Sequence, residues 1–413
     1  MAVLGSDTRG GASITIRGAN FGPDGNANVV VTYGPDGALN PYTAASCAVT
    51  GGGHDTITCS TVEGIGNNLY WVVQIAAQSS VRSVQKSRYL KPSLTSLSGN
   101  AFTGRSPTQG QMSIMLVGNY FGPAGDSDVA AFYGPSGDTK RYEAVGCKVL
   151  SGNDQVHVNI ECKTNVGVGA NLVWTVRVGD QESLTSTNKT SYALPEINDL
   201  DGAAASVIGS STKGNAIMEL RGTNFGPAGT IVSAEYGPVG ELDKYSISSC
   251  QVSSSSPHVL IECQTVEGTG RDLQWTVTAG GQVSLTFTGE TMTYASPIVS
   301  SIDGAAINTN GTSKQTLQGS NFGAVCTGCV SATYGGDSGT KYGPVECDVV
   351  LAHESLVCDT VPGVGRGHRW KVTRDSLTSQ LSSGASNYLA PSIDSDGLSG
   401  DAMAVLGSDT RGG

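Results

Sequence analysis

The sequence predicts an all-β chain of four domains in a row, and three observations carry that prediction. A glycine–phenylalanine motif recurs four times, at Gly18-Ala19-Asn20-Phe21-Gly22, Gly118-Asn119-Tyr120-Phe121-Gly122, Gly222-Thr223-Asn224-Phe225-Gly226 and Gly319-Ser320-Asn321-Phe322-Gly323. The segments around it alternate apolar and polar residues with the period of half-buried strands. Glycine makes up 57 of the 413 residues, about twice its usual share of roughly 7%, as many short strands joined by turns require.

The four phenylalanines lie 100, 104 and 97 residues apart. That spacing divides the chain into domains at 1–90, 91–193, 194–295 and 296–389, each long enough for one modest core. Each motif closes an alternating run such as Ser13-Ile14-Thr15-Ile16-Arg17. Glycine, often with asparagine beside it, adopts backbone angles that other residues avoid, so the chain turns there and the phenylalanine drops into the core. The motif therefore reads as the first corner of each domain.

A second strand ends in tyrosine-glycine, at Tyr33, Tyr133, Tyr236 and Tyr334. Thirteen or fourteen residues after each tyrosine comes a first cysteine (Cys47, Cys147, Cys250, Cys347), and then a second (Cys59, Cys162, Cys263, Cys358). From there the spacing is rigid. Glycines follow at five and seven residues, as at Gly64 and Gly66, and a tryptophan at twelve: Trp71, Trp174, Trp275, Trp370. The tryptophan sits in an alternating run, as in Leu172-Val173-Trp174-Thr175-Val176-Arg177-Val178, which makes it a core residue. A last strand ends at Tyr89, Tyr192, Tyr294 and Tyr388, each with a proline three residues on. Junctions this short are unlike flexible Gly/Ser linkers. They predict a semi-rigid rod, each domain adding about 40 Å if its strands have common lengths.

The Gly-x-Asn-Phe-Gly corner, the cysteine pair, the Thr-Val-Glu-Gly-x-Gly segment at 61–66 and 265–270, and the closing Tyr-x-x-Pro resemble the IPT/TIG family. The resemblance covers all four units. It implies tandem immunoglobulin-like β-sandwiches, as in plexin-type ectodomains, and an interaction role without catalytic residues. Some members of the family bind DNA, but the basic recognition loops they use are missing here.

Eight of the ten cysteines take equivalent places in pairs, which reads as one disulfide per domain in an oxidising compartment. The other two, Cys326-Thr327-Gly328-Cys329, read as a staple of their loop. A redox dithiol belongs near a βαβ pattern, and no second C-x-x-C completes a zinc site. Four of the five histidines also recur, His54, His157, His258 and His353, each five residues before the second cysteine. They read either as strand-entry residues bonding a loop or as periodic, pH-sensitive or metal-binding contacts between neighbouring chains. Asn188 and Asn310 begin N-glycosylation sequons. Asp199, Asp201, Asp394 and Asp396 cluster near two junctions, where carboxylates suit calcium. The second domain begins Ser93-Leu94-Thr95-Ser96 without such a cluster, so calcium is not a general joint.

Charged residues are sparse at 14% and the net charge is −11, which argues against nucleic acid and anionic membranes as partners. No run of about twenty apolar residues is present to span a bilayer. Residues 1–11 and 403–413 are identical. This predicts that a four-domain block is itself repeated, with 390–413 starting the first strand of the next block and a signal peptide lying upstream. Catalytic motifs are absent, so the expectation is no enzyme, no cofactor and no metal. The sequence reads as a structural segment of a long extracellular protein that self-assembles with copies of its own block into a fibre or cell-surface filament. The alternative is the stalk and binding domains of a cell-surface adhesin or receptor recognising a protein or glycan, with Cys326, Cys329, His368 and Arg369 marking the binding domain.

Overall fold

A computed structural model describes residues 5–26, 28–125, 128–152, 155–206, 208–304 and 306–400; the second copy of the eleven-residue stretch, 403–413, lies outside them. The second unit shows the plan. One sheet orders the strands Val145–Val149, Asn159–Lys163, Ser113–Asn119 and Ser93–Ser98, and the other Tyr142–Glu143, Val129–Gly134, Val173–Val178 and Gln181–Glu182. All these ladders are antiparallel. A single parallel bridge, Ser106 to Tyr192, draws the start of the unit against its last strand, and it recurs as Ser6–Tyr89, Ser210–Tyr294 and Ile307–Tyr388. In the third and fourth units the long strands Tyr245–Val252 and Tyr342–Leu351 pair in both halves, so the strands run on as one antiparallel sheet folded over the core; four such units in succession make a tandem immunoglobulin-like arrangement.

The alternation seen in sequence sets the faces. Ile114 and Leu116 are fully buried, as are Met218, Leu220 and Leu317 at the matching places. The motif phenylalanines are buried too. At the centre each Tyr-Gly tyrosine stacks on the tryptophan of its unit: Tyr33 on Trp71 at 4.1 Å, Tyr133 on Trp174 at 4.2 Å, Tyr236 on Trp275 at 4.2 Å and Tyr334 on Trp370 at 4.3 Å. Its hydroxyl lies 2.6–2.8 Å from that of the closing tyrosine (Tyr89, Tyr192, Tyr294, Tyr388). The closing tyrosine donates in turn to a backbone carbonyl, as Tyr192 does to Asn165 at 2.7 Å. Burial pushes all four closing phenols up, so they remain protonated donors. The cysteine pairs Cys47–Cys59, Cys147–Cys162, Cys250–Cys263 and Cys347–Cys358 are bonded, as is Cys326–Cys329.

The structure corrects the sequence reading of how a unit begins. The Gly/Phe corner follows the second strand of units two to four, because an earlier strand precedes it at Ser93–Ser98, Glu196–Asp201 and Ile298–Asp303. That strand escapes a period-of-two reading because its ladder is broken by a bulge, between Leu94 and Ser96 in the second unit. The extra residue puts Leu94 and Leu97 three apart while both still turn inward. The first unit has no such strand among its described residues, and its sheet has three members: Ser13–Arg17, Thr56–Ser60 and Ala45–Val49.

Candidate functional site: the joints between units

Of the four recurring histidines, three (His157, His258 and His353) come together with residues of the preceding unit. Each stands in the left-handed backbone region, with φ of 66–72°, a conformation histidine tolerates better than most residues. The backbone of that turn grips the Gly/Phe corner. In the third unit His258 N–H donates to Gly226 at 2.7 Å, and Phe225 N–H donates to His258 at 3.0 Å. The corner and the histidine therefore form one platform facing the previous unit.

The previous unit presents two loops held side by side. Gly64, Gly167 and Gly268 donate N–H bonds of 3.0 Å to Thr8, Thr108 and Thr212. Tyr42 pins the next residue, its hydroxyl donating to Ile65 C=O at 2.9 Å and accepting from Ile65 N–H at 3.1 Å. A Cβ on Gly64 would stand 2.5 Å from the Tyr42 ring and 2.8 Å from Tyr89 Oη, which is why the spacing admits only glycine there. The loops thus offer a threonine hydroxyl, the side chain before this glycine and the side chain after it.

These groups meet the platform in the same way three times. Thr8, Thr108 and Thr212 Oγ1 lie 3.0, 2.8 and 2.8 Å from Nδ1 of His157, His258 and His353. Ile65, Val168 and Thr269 pack on the last glycine of the next motif; a Cβ on Gly122, Gly226 or Gly323 would come within 2.3, 2.4 and 2.7 Å of their methyl groups. A glutamine reaches back from the following unit at the first two joints. Gln181 Nε2 donates to Gly66 and Tyr89 carbonyls at 3.0 Å, and Gln282 Nε2 donates to Tyr192 C=O at 3.0 Å. At the third joint Asp375 takes that role, accepting from the Thr269 hydroxyl, and Lys213 pairs with Glu354 at 2.8 Å. The expectation of histidine contacts between neighbouring chains is therefore corrected for His157, His258 and His353: their neighbour is the preceding unit of the same chain. His54, in the first unit, is exposed.

The joints differ in one respect. His157 Nε2 lies 3.0 Å from Glu63 and His353 Nε2 lies 3.0 Å from Glu267, whereas the second joint has Val166 at that position. With Nε2–H donating to the carboxylate, Nδ1 is free to accept from the threonine hydroxyl. Burial lowers the affinity of His258 for a proton, and nothing opposes it. Burial lowers that of His157 too, and the Glu63 carboxylate opposes the shift without overturning it. A histidine held below its ordinary value of about 6.5 docks in the neutral form. Its contribution is therefore complete above that value and is lost as pH falls towards the docked value. The second joint is expected to loosen as pH falls below about 6.5, and Val166→Glu to lessen the effect by raising the His258 value. Histidine NMR titration with small-angle scattering of wild type and variant checks this; equal responses would contradict it.

The remaining sequence candidates lie apart from the joints. Asn310 is exposed on a turn where its Oδ1 accepts from Thr312 N–H and hydroxyl at 3.2 and 2.8 Å. Asn188 is half-buried, and the Thr190 of its sequon is buried, accepting from Trp174 Nε1 at 2.9 Å. Intact-mass analysis of protein secreted from a glycosylating host is expected to find sugar at Asn310 and none at Asn188. Asp201 faces Arg221 at 3.3 Å. No group of three or more His, Cys, Asp or Glu suited to a metal ion occurs among the described residues. His368 is buried in an aromatic box of Tyr334, Tyr342 and Tyr388, while Arg369 is exposed and points elsewhere in the alternation. Cys326 and Cys329 lie against the Arg374 guanidinium.

The joints escaped sequence reasoning although each of their parts was visible. The signal that could have found them is co-recurrence: Thr-x-Gly, the residue after the first loop glycine, the last motif glycine and the histidine all repeat at unit spacing.

The chain matches no protein-family model and no curated protein. Among solved structures it is similar to the extracellular region of plexin A4, at 15% identity over 92% of this chain and 29% of that one, with a TM-score of 0.23. It is similar to invasin, a bacterial integrin-binding protein, at 12% identity over 89% and 77% of the two chains, TM-score 0.20. It is also similar to the Escherichia coli adhesin FdeC, at 13% identity over 73% and 100%, TM-score 0.19. This chain spans less than a third of the plexin chain. At scores this low the fold rests on the strand pairing described above, and what those proteins bind does not carry over: the chain is a tandem array of disulfide-bonded immunoglobulin-like β-domains.

Proposed function

We propose that this chain is a structural segment of a long periodic extracellular protein that builds a fibre or cell-surface filament, and that its units are IPT/TIG-like. One observation carries the reading: three successive joints are built from equivalent side chains, so the orientation between neighbours is specified and repeated. Disulfide-bonded sandwiches resist unfolding, and joints of closely packed threonine, histidine and glycine resist bending. Equivalent surfaces then recur at regular intervals, which suits self-assembly of copies of the block. Five disulfides fit secretion into an oxidising compartment. The adhesin or receptor reading is weaker, because His368, one of the four residues that marked a binding domain, is buried in the core. Electron microscopy of native material tests the proposal. Filaments with an axial period of a small number of units are expected; single flexible strings of uniform length would overturn it in favour of a stalk.

A further inference from the structure

The fourth unit carries a cation where its siblings carry an apolar side chain. Arg374 stands four residues after Trp370, as Ile75, Val178 and Ala279 stand after Trp71, Trp174 and Trp275. Val178 and Ala279 are buried, and the Arg374 side chain is only 13% exposed. Its Nη1 donates to Phe322 C=O at 3.2 Å and lies 2.8 Å from the Sγ atoms of both Cys326 and Cys329. A bonded sulfur is a weak acceptor and carries no charge. The ion-pair partner of the guanidinium, Asp375 at 3.7 Å from Nε, is shared with Thr269 and Lys244. A nearly buried cation is thus left short of negative charge, although such groups are normally paired.

The disulfide against this cation differs from the other four in access and in what it holds. Seven of the eight cysteines in the other bonds are buried, Cys47 being the exception. Cys326 and Cys329 are half-buried among the exposed residues Val325, Thr327 and Gly328. They bracket a bulge: Cys326 faces Val349 and Val330 faces Cys347, so residues 327–329 oppose Asp348 alone. Gly328 N–H donates to Asp348 Oδ1 at 2.8 Å, which holds the bulge without help from the sulfurs. The ladder runs on from Val330, and Cys347–Cys358 crosslinks the same unit. Opening Cys326–Cys329 therefore leaves the sandwich standing. Its cysteines are 3 residues apart in sequence, against 11–15 in the others, and closing so short a loop stabilises the fold least.

We propose that Cys326–Cys329 is a thiol–disulfide exchange site whose reactant is a small-molecule thiol, with Arg374 holding the thiolate that leaves. The reactant's thiolate attacks one cysteine sulfur and bonds to it as the Cys326–Cys329 bond breaks. The electron pair departs on the other cysteine, whose sulfur already lies against the guanidinium. A second reactant thiolate then attacks the reactant's sulfur in the mixed disulfide and frees the remaining cysteine, which takes up a proton. Two thiols are oxidised to one disulfide and the cysteine pair is reduced. Of the two protons the thiols lose, one ends on a cysteine and the other in solvent. A neighbouring cation stabilises a thiolate and has no such hold on a disulfide, so Arg374 moves the equilibrium towards the reduced pair. The site goes beyond the filament reading and does not depend on it.

The test equilibrates the full 413-residue chain with stepped ratios of reduced to oxidised glutathione, traps free thiols by alkylation and maps them by mass spectrometry. Cys326 and Cys329 are expected to open, with a glutathione adduct on one of them at intermediate ratios, under conditions about a hundredfold less reducing than the other eight cysteines require. Arg374→Val, which installs the residue of the second unit, is expected to make the pair about tenfold or more harder to reduce. Exposure alone predicts no change in that variant. If Arg374→Val also frees Cys347 and Cys358, and so fails to fold, the reduced wild-type chain decides. At about pH 6 iodoacetamide should alkylate one cysteine of its pair at least about tenfold faster than it alkylates glutathione, because a thiolate persists there. A pair that stays closed until the buried disulfides open overturns the inference. So does an unchanged ratio in folded Arg374→Val, or alkylation no faster than that of glutathione.

Discussion

Trp174→Ala is expected to destabilise the second unit by about 3–5 kcal/mol, the cost of removing a large aromatic from a packed core. Trp174 is fully buried, stacks on Tyr133 at 4.2 Å and donates from Nε1 to Thr190 at 2.9 Å. The substitution opens a cavity and leaves a buried hydroxyl without its donor. Domains of this size have total stabilities of about 5–15 kcal/mol, so the unit is brought close to unfolding. Calorimetry should show one transition displaced downward by roughly 15 °C or more, at about 4–8 °C per kcal/mol. The other three units should melt nearly unchanged. Trp275 supplies a contrast, because its Nε1 has no partner in the structure. Trp174→Phe should therefore cost about 1 kcal/mol more than Trp275→Phe, the worth of one buried hydrogen bond. Equal costs would mean that the indole bond contributes nothing.

Gly122→Ala is expected to break the first joint. Gly122 has φ of 85°, and a Cβ there would stand 2.3 Å from Ile65 of the preceding unit. Left-handed backbone with a side chain costs about 1–2 kcal/mol, and overpacking costs about 1–3 kcal/mol more. Gly137 separates the two terms, because it has φ of 103° and open space where its Cβ would be. Gly137→Ala should show only the local backbone cost, while Gly122→Ala should also lengthen the particle in solution scattering and expose the 64–67 loop to proteases. Adding Ile65→Ala to Gly122→Ala should recover much of the joint, because it removes the clashing methyl. Indistinguishable scattering from the two glycine variants would show that Ile65 does not seat on Gly122.

Much of the unit was legible in the sequence because its determinants are local or periodic. The strand Val173–Val178 could be read from alternation alone, and the corner at Phe121 from glycine and a short polar neighbour. The tryptophan's burial followed from its place in that alternation. The first strand of units two to four was not legible, since a bulge breaks the period that would have announced it. His368 was misplaced for a related reason: it occupies a position held by Leu69, Leu172 and Leu273 in the other units, and its polarity suggested a surface role that the aromatic box denies.

Four units, their turns and the aromatics of each core follow from residue type and from spacings within about a hundred positions. What the recurring histidines do is settled by packing between units. Thr8 and His157 lie 149 residues apart, and a repeat cannot say whether an outward-facing group meets its own loop, the next unit or another chain. That choice is made by the close seating of Ile65 on Gly122, a contact between two units whose relative placement no local propensity encodes.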